Sequence, residues 1–165
     1  GISKYPPAQA KIAYEMLRAA GVPCLISQYR YSMFDRTVEE KSLPLAAEQG
    51  SGFIAFSPLA QGLLTKKYLH GIPEHSRAAR STGFLKVDQV TEDKVGKARR
   101  LDEIAARRGQ TLAEMALAWV LKDERMTSVI VGTSSVKQLA DNLHALDNLN
   151  FTNEELAEIE GILRL

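Results

Sequence analysis

Phe53-Ile54-Ala55-Phe56-Ser57-Pro58 is a short apolar run closed by a serine and a proline. Four apolar residues with no polar alternation describe a strand covered on both faces, as in a parallel sheet. Ser57-Pro58 ends the run with turn chemistry. Working outward, the same pattern recurs. Residues 23–28 (Pro-Cys-Leu-Ile-Ser-Gln) read as one more apolar strand, and Thr127–Val131 as another, closed by Gly132. Gly1-Ile2-Ser3 reads as the last residues of a strand whose beginning is absent, and the first methionine, Met16, falls inside a helix.

Helical patterns separate these runs. After Tyr5-Pro6-Pro7, whose prolines suit a first helical turn, residues 8–20 place Ile12, Met16 and Ala20 on one face, and Gly21 stands where a glycine cap belongs. A second helix covers about 42–49, ending at Gly50, and a third runs from Thr91 to about Arg108. Thr111-Leu-Ala-Glu114 is a capping box. Behind it Leu112, Met115, Ala116, Trp119 and Val120 fall at helical spacing, a core-facing stripe. Ser135-Val-Lys-Gln138 opens another helix in the same way, as far as about Leu146. Thr152-Asn-Glu-Glu155 opens the last, with Leu156, Ile159 and Leu163 inward. Residues 29–41 are expected as a loop or broken helix. Residues 60–90 have no period and are too long for a routine connection, which marks a functional loop.

Strands and helices in this alternation specify an α/β fold on a parallel sheet. Three strands and the end of a fourth do not close a barrel of eight, which takes about 250 residues. The residues alone leave two architectures, a small open sheet or half a barrel.

Composition narrows the function. The 165 residues carry 21 basic and 20 acidic side chains, a net charge of +1. This is not the basic bias that nucleic acid or an anionic membrane surface would favour. No apolar stretch reaches the roughly 20 residues of a membrane span. The single cysteine, Cys24, reads as a buried inert thiol. With no secretory leader in view, a cytoplasmic location is the expectation.

Four segments then carry a resemblance: Gly1-Ile-Ser3, Leu25-Ile-Ser-Gln28, Ile54-Ala-Phe-Ser-Pro-Leu-Ala-Gln-Gly62 followed by Leu-Leu-Thr65, and Val129-Ile-Val-Gly-Thr-Ser134. In this order and spacing they resemble the second half of aldo-keto reductases, where they lie at the C-terminal ends of strands five to eight. Tyr31-Ser-Met-Phe-Asp-Arg36, Lys67-Tyr-Leu-His-Gly-Ile-Pro73 and Met115-Ala-Leu-Ala-Trp119 resemble a bacterial glyceraldehyde-3-phosphate reductase-like subgroup, itself similar to potassium-channel β subunits. The resemblance covers essentially the whole chain. It implies the C-terminal half of a (β/α)8 TIM barrel, from the end of strand five to strand eight plus a C-terminal extra helix. Residues 1–165 would then be one partial domain, with 60–90 as a long cofactor-side loop.

The resemblance further implies NADPH-dependent reduction of small aldehydes or ketones without a metal. The family's proton-donating tyrosine and its lysine, aspartate and histidine come from strands two to four, so no catalytic residue is assigned here. His70, His75 and His144 lie in a loop or on a late helix and do not fit the role. On the cofactor side, the resemblance assigns Ser3 and Gln28 to the nicotinamide carboxamide, and Ser57, Leu59 and Gln61 to the pyrophosphate, with charge from Lys67. Gly132 and Ser134 fall to the adenosine phosphate, and Gln138 and Asn142 to the adenine end. Physical chemistry agrees at one place: barrel enzymes bind phosphate after strands seven and eight, at a helix N-terminus. Lys4 stands where many family members carry asparagine, a missing amide contact.

Plainer readings stand beside these. Gln138 completes a capping box whatever else it does. Asn142, a poor helix former, reads otherwise as a neutral solvent-facing substitution. Arg77 and Arg80 reach toward a 2′-phosphate or are simply surface residues. Tyr29 or Tyr31 lines the nicotinamide or substrate side. The expected partners are a small carbonyl substrate and the missing N-terminal barrel half. Without that half, uncovered sheet edges and apolar surface favour homo-oligomers. The competing function is a non-catalytic NADPH-binding or β-subunit-like module.

Overall fold

The computed structural model describes residues 1–74, 76, 78–79 and 85–165. Its sheet has four parallel strands in sequential order, β1 (Ile2–Ser3), β2 (Ile26–Arg30), β3 (Gly52–Phe56) and β4 (Met126–Ile130). Among the described residues six α-helices accompany them: α1 (Pro7–Ala19), α2 (Ser42–Glu48), α3 (Glu92–Arg107), α4 (Leu112–Leu121), α5 (Val136–Leu143) and α6 (Asn153–Arg164). The chain divides into two compact units. One comprises residues 1–58 and 120–132, the other 59–119 and 133–165.

The first unit holds the whole sheet with α1 and α2. Tyr14 of α1 hydrogen-bonds Ser27 Oγ on β2 at 2.6 Å, and Ser27 bonds Ser51 at 3.0 Å. Ala10, Tyr14 and Cys24 form a small core with Ile2, Leu17 and Leu45 against it. The buried face of α1 is therefore Ala10–Tyr14–Leu17. The expected face of Ile12 and Met16 points outward instead, at 57% and 68% exposure. Both stripes satisfy a helical period, and sheet contact selects one. Pro6 and Gly21 behave as expected at the ends of α1: Gly21 adopts φ 72°, and Val22 N–H bonds the Leu17 carbonyl.

β2 lies later than residues 23–28 and runs on to Arg30, because Ile26–Arg30 matches Gly52–Phe56 residue for residue. A tight bridge between Ser32 and Asp35 follows. Gly52–Phe56 is the strand expected at 53–56. A register shift at Phe53/Ile54 accommodates β4, where Thr127 Oγ1 accepts from Phe53 N–H.

The second unit packs α3 against α6. Thr111 and Glu114 form the expected capping box, as do Thr152 and Glu155. Met115 and Trp119 are core residues. Arg108, 2% exposed through its side chain, ties the end of α3 to the start of α6. It bonds Glu155, the carbonyls of Asn148 and Asn150, and Gln110 Oε1, while its guanidinium lies 3.8 Å over the Phe151 ring. Within 60–90 the chain makes short 3-10 turns at Ala60–Gly62, Lys66–Tyr68 and Val87–Gln89. His75, Arg77 and Arg80 lie outside the described residues. No helix among the described residues is long and apolar enough to cross a membrane.

Candidate functional site

Of the ten cofactor-side candidates, Ser3, Gln28, Ser57 and Gly132 belong to the unit that holds the sheet. Ser3 and Gln28 are direct register partners on neighbouring strands. The pairing continues one residue further, where Lys4 N–H donates to the Gln28 carbonyl at 3.0 Å. Lys4 makes that bond from a left-handed conformation, φ 59°. Parallel register puts Ile54 and Ser128 in the same row as Ser3 and Gln28. Ser57 follows β3 immediately, also left-handed at φ 54°. Phe56, which the sequence reading did not single out, lies two residues further toward the C-terminal ends, level with Arg30 and Ile130.

Leu59, Gln61, Lys67, Ser134, Gln138 and Asn142 belong to the other unit. The Leu59 carbonyl accepts from Gly62 N–H and Leu64 N–H, which curls residues 59–64 into a compact loop. Ala60 and Gln61 are left-handed, at φ 48° and 61°, and Gly62 lies at φ 101°, open in practice only to glycine. Thr65 Oγ1 donates to the Gly62 carbonyl and accepts from Lys67 N–H. Lys67 is exposed. Every left-handed non-glycine residue among the described residues is Lys4, Ser57, Ala60 or Gln61. Each such residue costs roughly 1–3 kcal/mol, strain that concentrates at functional sites.

At the start of α5, Ser135 Oγ accepts from Gln138 N–H, half of the expected capping box. The other half differs. Gln138 Oε1 turns to Ser134 and accepts from its N–H at 2.9 Å and its hydroxyl at 3.1 Å. One turn on, Asn142 is only 8% exposed, and its Nδ2 has no hydrogen-bond partner among the described residues. The solvent-facing reading of Asn142 therefore fails. A buried unsatisfied amide costs about 1–3 kcal/mol, so a mid-helix asparagine here needs an acceptor.

Tyr29 and Tyr31 are both buried and hydrogen-bonded within the first unit. Tyr29 faces the α1 side, stacks on Phe53 with centroids 5.1 Å apart, and donates to the Tyr5 carbonyl. Burial raises its pKa from 10.0 to about 12. Tyr31 is buried and donates to Glu39 Oε1, which Arg36 also grips. Burial, then the Glu39 hydrogen bond, raise the Tyr31 pKa far above that of a free phenol. His70 and His144 are exposed. Elsewhere in the second unit, an open cleft of about 560 Å³ is lined by Lys66, Arg108, Gln110, Glu114, His144 and Asp147 among others, and includes none of the ten candidates.

Ser3 and Gln28 offer a hydroxyl and an amide in one row, and Asn142 offers an orphaned donor. The segment 132–138 leads into a capped helix N-terminus, which suits an anion.

Residues 1–164 match the aldo/keto reductase family. The chain is 46% identical over 164 residues to L-glyceraldehyde 3-phosphate reductase of Escherichia coli O157:H7, and 44% identical over 164 residues to the protein of that name from strain K12. In both comparisons the match takes in 97% of this chain and 47% of the relative. The chain thus spans about half the length of these curated relatives. A four-stranded parallel α/β sheet is what half of an eight-stranded barrel contains.

Proposed function

The chain belongs to the aldo/keto reductase family, and on that premise we propose that it is the cofactor-binding half of an NADPH-dependent reductase of small aldehydes or ketones. Phosphorylated three-carbon aldehydes head the candidates, since the relatives' name specifies glyceraldehyde 3-phosphate. The proton donor then comes from a preceding half of the same barrel, joined to this one in a cytoplasmic protein.

The bound nicotinamide would supply a hydride to the substrate carbonyl carbon. This chain's residues bind and orient. Ser3 and Gln28 hold the carboxamide, which needs both a donor and an acceptor. The left-handed turns at Ser57, Ala60 and Gln61 aim backbone groups at the pyrophosphate, and Lys67 adds a cation. Gly132 and Ser134 receive the adenosine phosphate at the positive end of α5. Gln138 and Asn142 take the adenine end.

The observation that carries the cofactor reading is the buried, unpartnered Nδ2 of Asn142, one helical turn from Gln138. It is tested by fluorescence titration of NADPH against the complete barrel and its Asn142→Leu variant. We expect the variant to bind about tenfold more weakly. An unchanged dissociation constant would sink the assignment. Failure of the complete barrel to oxidise NADPH with any small aldehyde would sink the reductase reading.

A further inference from the structure

The sheet face turned away from α1 carries a single charge. Ser27 and Tyr29 project toward the α1 side, so alternation along β2 sends Ile26, Gln28 and Arg30 to the other. Register adds Ser3 from β1, Ile54 and Phe56 from β3, and Ser128 and Ile130 from β4. Arg30 is the charged member of this set. It stands in the row nearest the C-terminal ends, beside Phe56 and one row beyond Ser3 and Gln28. In barrels, chemistry takes place at that end of the strands.

Arg30 is also held in a particular way. Its Nε lies 3.3 Å from Asp35 Oδ2, with the arginine side chain 51% exposed. Asp35 is itself fixed: Thr37 Oγ1 donates to its other carboxylate oxygen at 2.9 Å, and its backbone exchanges two hydrogen bonds with Ser32. The ion pair uses the Nε edge of the guanidinium. Among the described residues Nη1 and Nη2 make no hydrogen bond, and the Nη1–Nη2 edge is a planar fork matching two phosphate oxygens.

We propose that Arg30 is a specificity residue that receives the phosphate of a phosphorylated aldehyde substrate. The proposal rests on the reductase reading above. Asp35 pairs with the Nε edge of the guanidinium and leaves its fork for the ligand. An uncharged aldehyde gains nothing from this contact, so Arg30 separates phosphorylated from unphosphorylated substrates rather than assisting reduction. A dinucleotide carries phosphates too, so the test separates the two sources.

The experiment uses the complete barrel and compares the wild type with Arg30→Gln and Arg30→Lys. Steady-state rates are measured with glyceraldehyde 3-phosphate and with glyceraldehyde, and NADPH affinity by fluorescence titration. Arg30→Gln is expected to lower kcat/KM for the phosphorylated aldehyde about 50-fold while changing that for glyceraldehyde less than about threefold. Arg30→Lys, which keeps the charge but not the fork, is expected to recover part of the loss. An equal fall for both aldehydes would overturn the proposal, and so would a weakened NADPH affinity that accounts for the loss. A wild-type barrel that reduces neither aldehyde would overturn the reductase reading and this proposal with it. Activity on both with no preference lost in Arg30→Gln would overturn this proposal alone.

Discussion

Gln138 Oε1 accepts two hydrogen bonds from Ser134, one from the backbone N–H at 2.9 Å and one from the hydroxyl at 3.1 Å. The glutamine therefore does not close the capping box it spells with Ser135. Instead it couples two cofactor-side candidates across the entrance to α5. The Ser135 cap and the Gln138–Ser134 pair thus use different side chains.

That separation gives a paired prediction. Ser135→Ala should cost about 1 kcal/mol of stability through loss of the cap. Gln138→Ala, at an exposed position, should leave the melting temperature nearly unchanged while weakening NADPH binding about tenfold. Thermal melts and fluorescence titration of both variants check this. A Gln138→Ala variant that melts early and binds normally would return Gln138 to a purely structural role.

Arg108 should behave as a structural clamp. Glu155 Oε2 both accepts from Arg108 and accepts the Thr152 N–H that caps α6. Removing the guanidinium takes a charged donor from Glu155 and from the carbonyls of Asn148 and Asn150, so Arg108→Met should destabilise by about 3 kcal/mol in urea unfolding. A loss below about 1 kcal/mol would mean that water replaces the clamp.

Alkaline pH should loosen the fold. Tyr29 and Tyr31 keep their protons to higher pH when folded, the former up to about 12, than the ordinary 10.0 that applies when unfolded. Above pH 10 the unfolded chain releases protons that the folded chain retains, so stability falls as pH rises. The stabilising contribution is fully present below pH 10. The slope should be about 1.4 kcal/mol per pH unit for each tyrosine. Urea titrations between pH 8 and 11.5 should show it, and Tyr31→Phe should reduce it by one proton's worth. A slope unaffected by Tyr31→Phe would contradict the assignment.

The 165-residue chain by itself should self-associate and should not reduce aldehydes. Ile12, Met16 and Leu25 are exposed in the first unit, as are Leu139, Leu143 and Leu146 in the second, and β1 and β4 are sheet edges. Light scattering should give masses above 18.2 kDa. Ile12→Lys with Met16→Lys should shift the distribution toward monomer. A monodisperse wild-type monomer, or NADPH oxidation with an aldehyde, would refute the corresponding half of this expectation.

The sequence alone determined the order of strands and helices, because apolar runs, capping boxes and terminal glycines act locally and need no partner to be read. It also located the loops after β3 and β4, since their motifs are contiguous. What it left open depended on contacts between distant segments. Whether α1 buries Ile12 and Met16 or Ala10 and Tyr14 was settled by Ser27, which offers Tyr14 a hydrogen bond from another element. The extension of β2 to Arg30 was settled by its register with β3, and it is this that puts a charge beside Phe56. The side that Tyr29 faces was settled in the same way: strand alternation fixes sidedness only once one neighbour's side is known. The reassignment of Gln138 and the burial of Asn142 also needed coordinates. A helical period places them on one face, but only packing decides which of the two meets solvent.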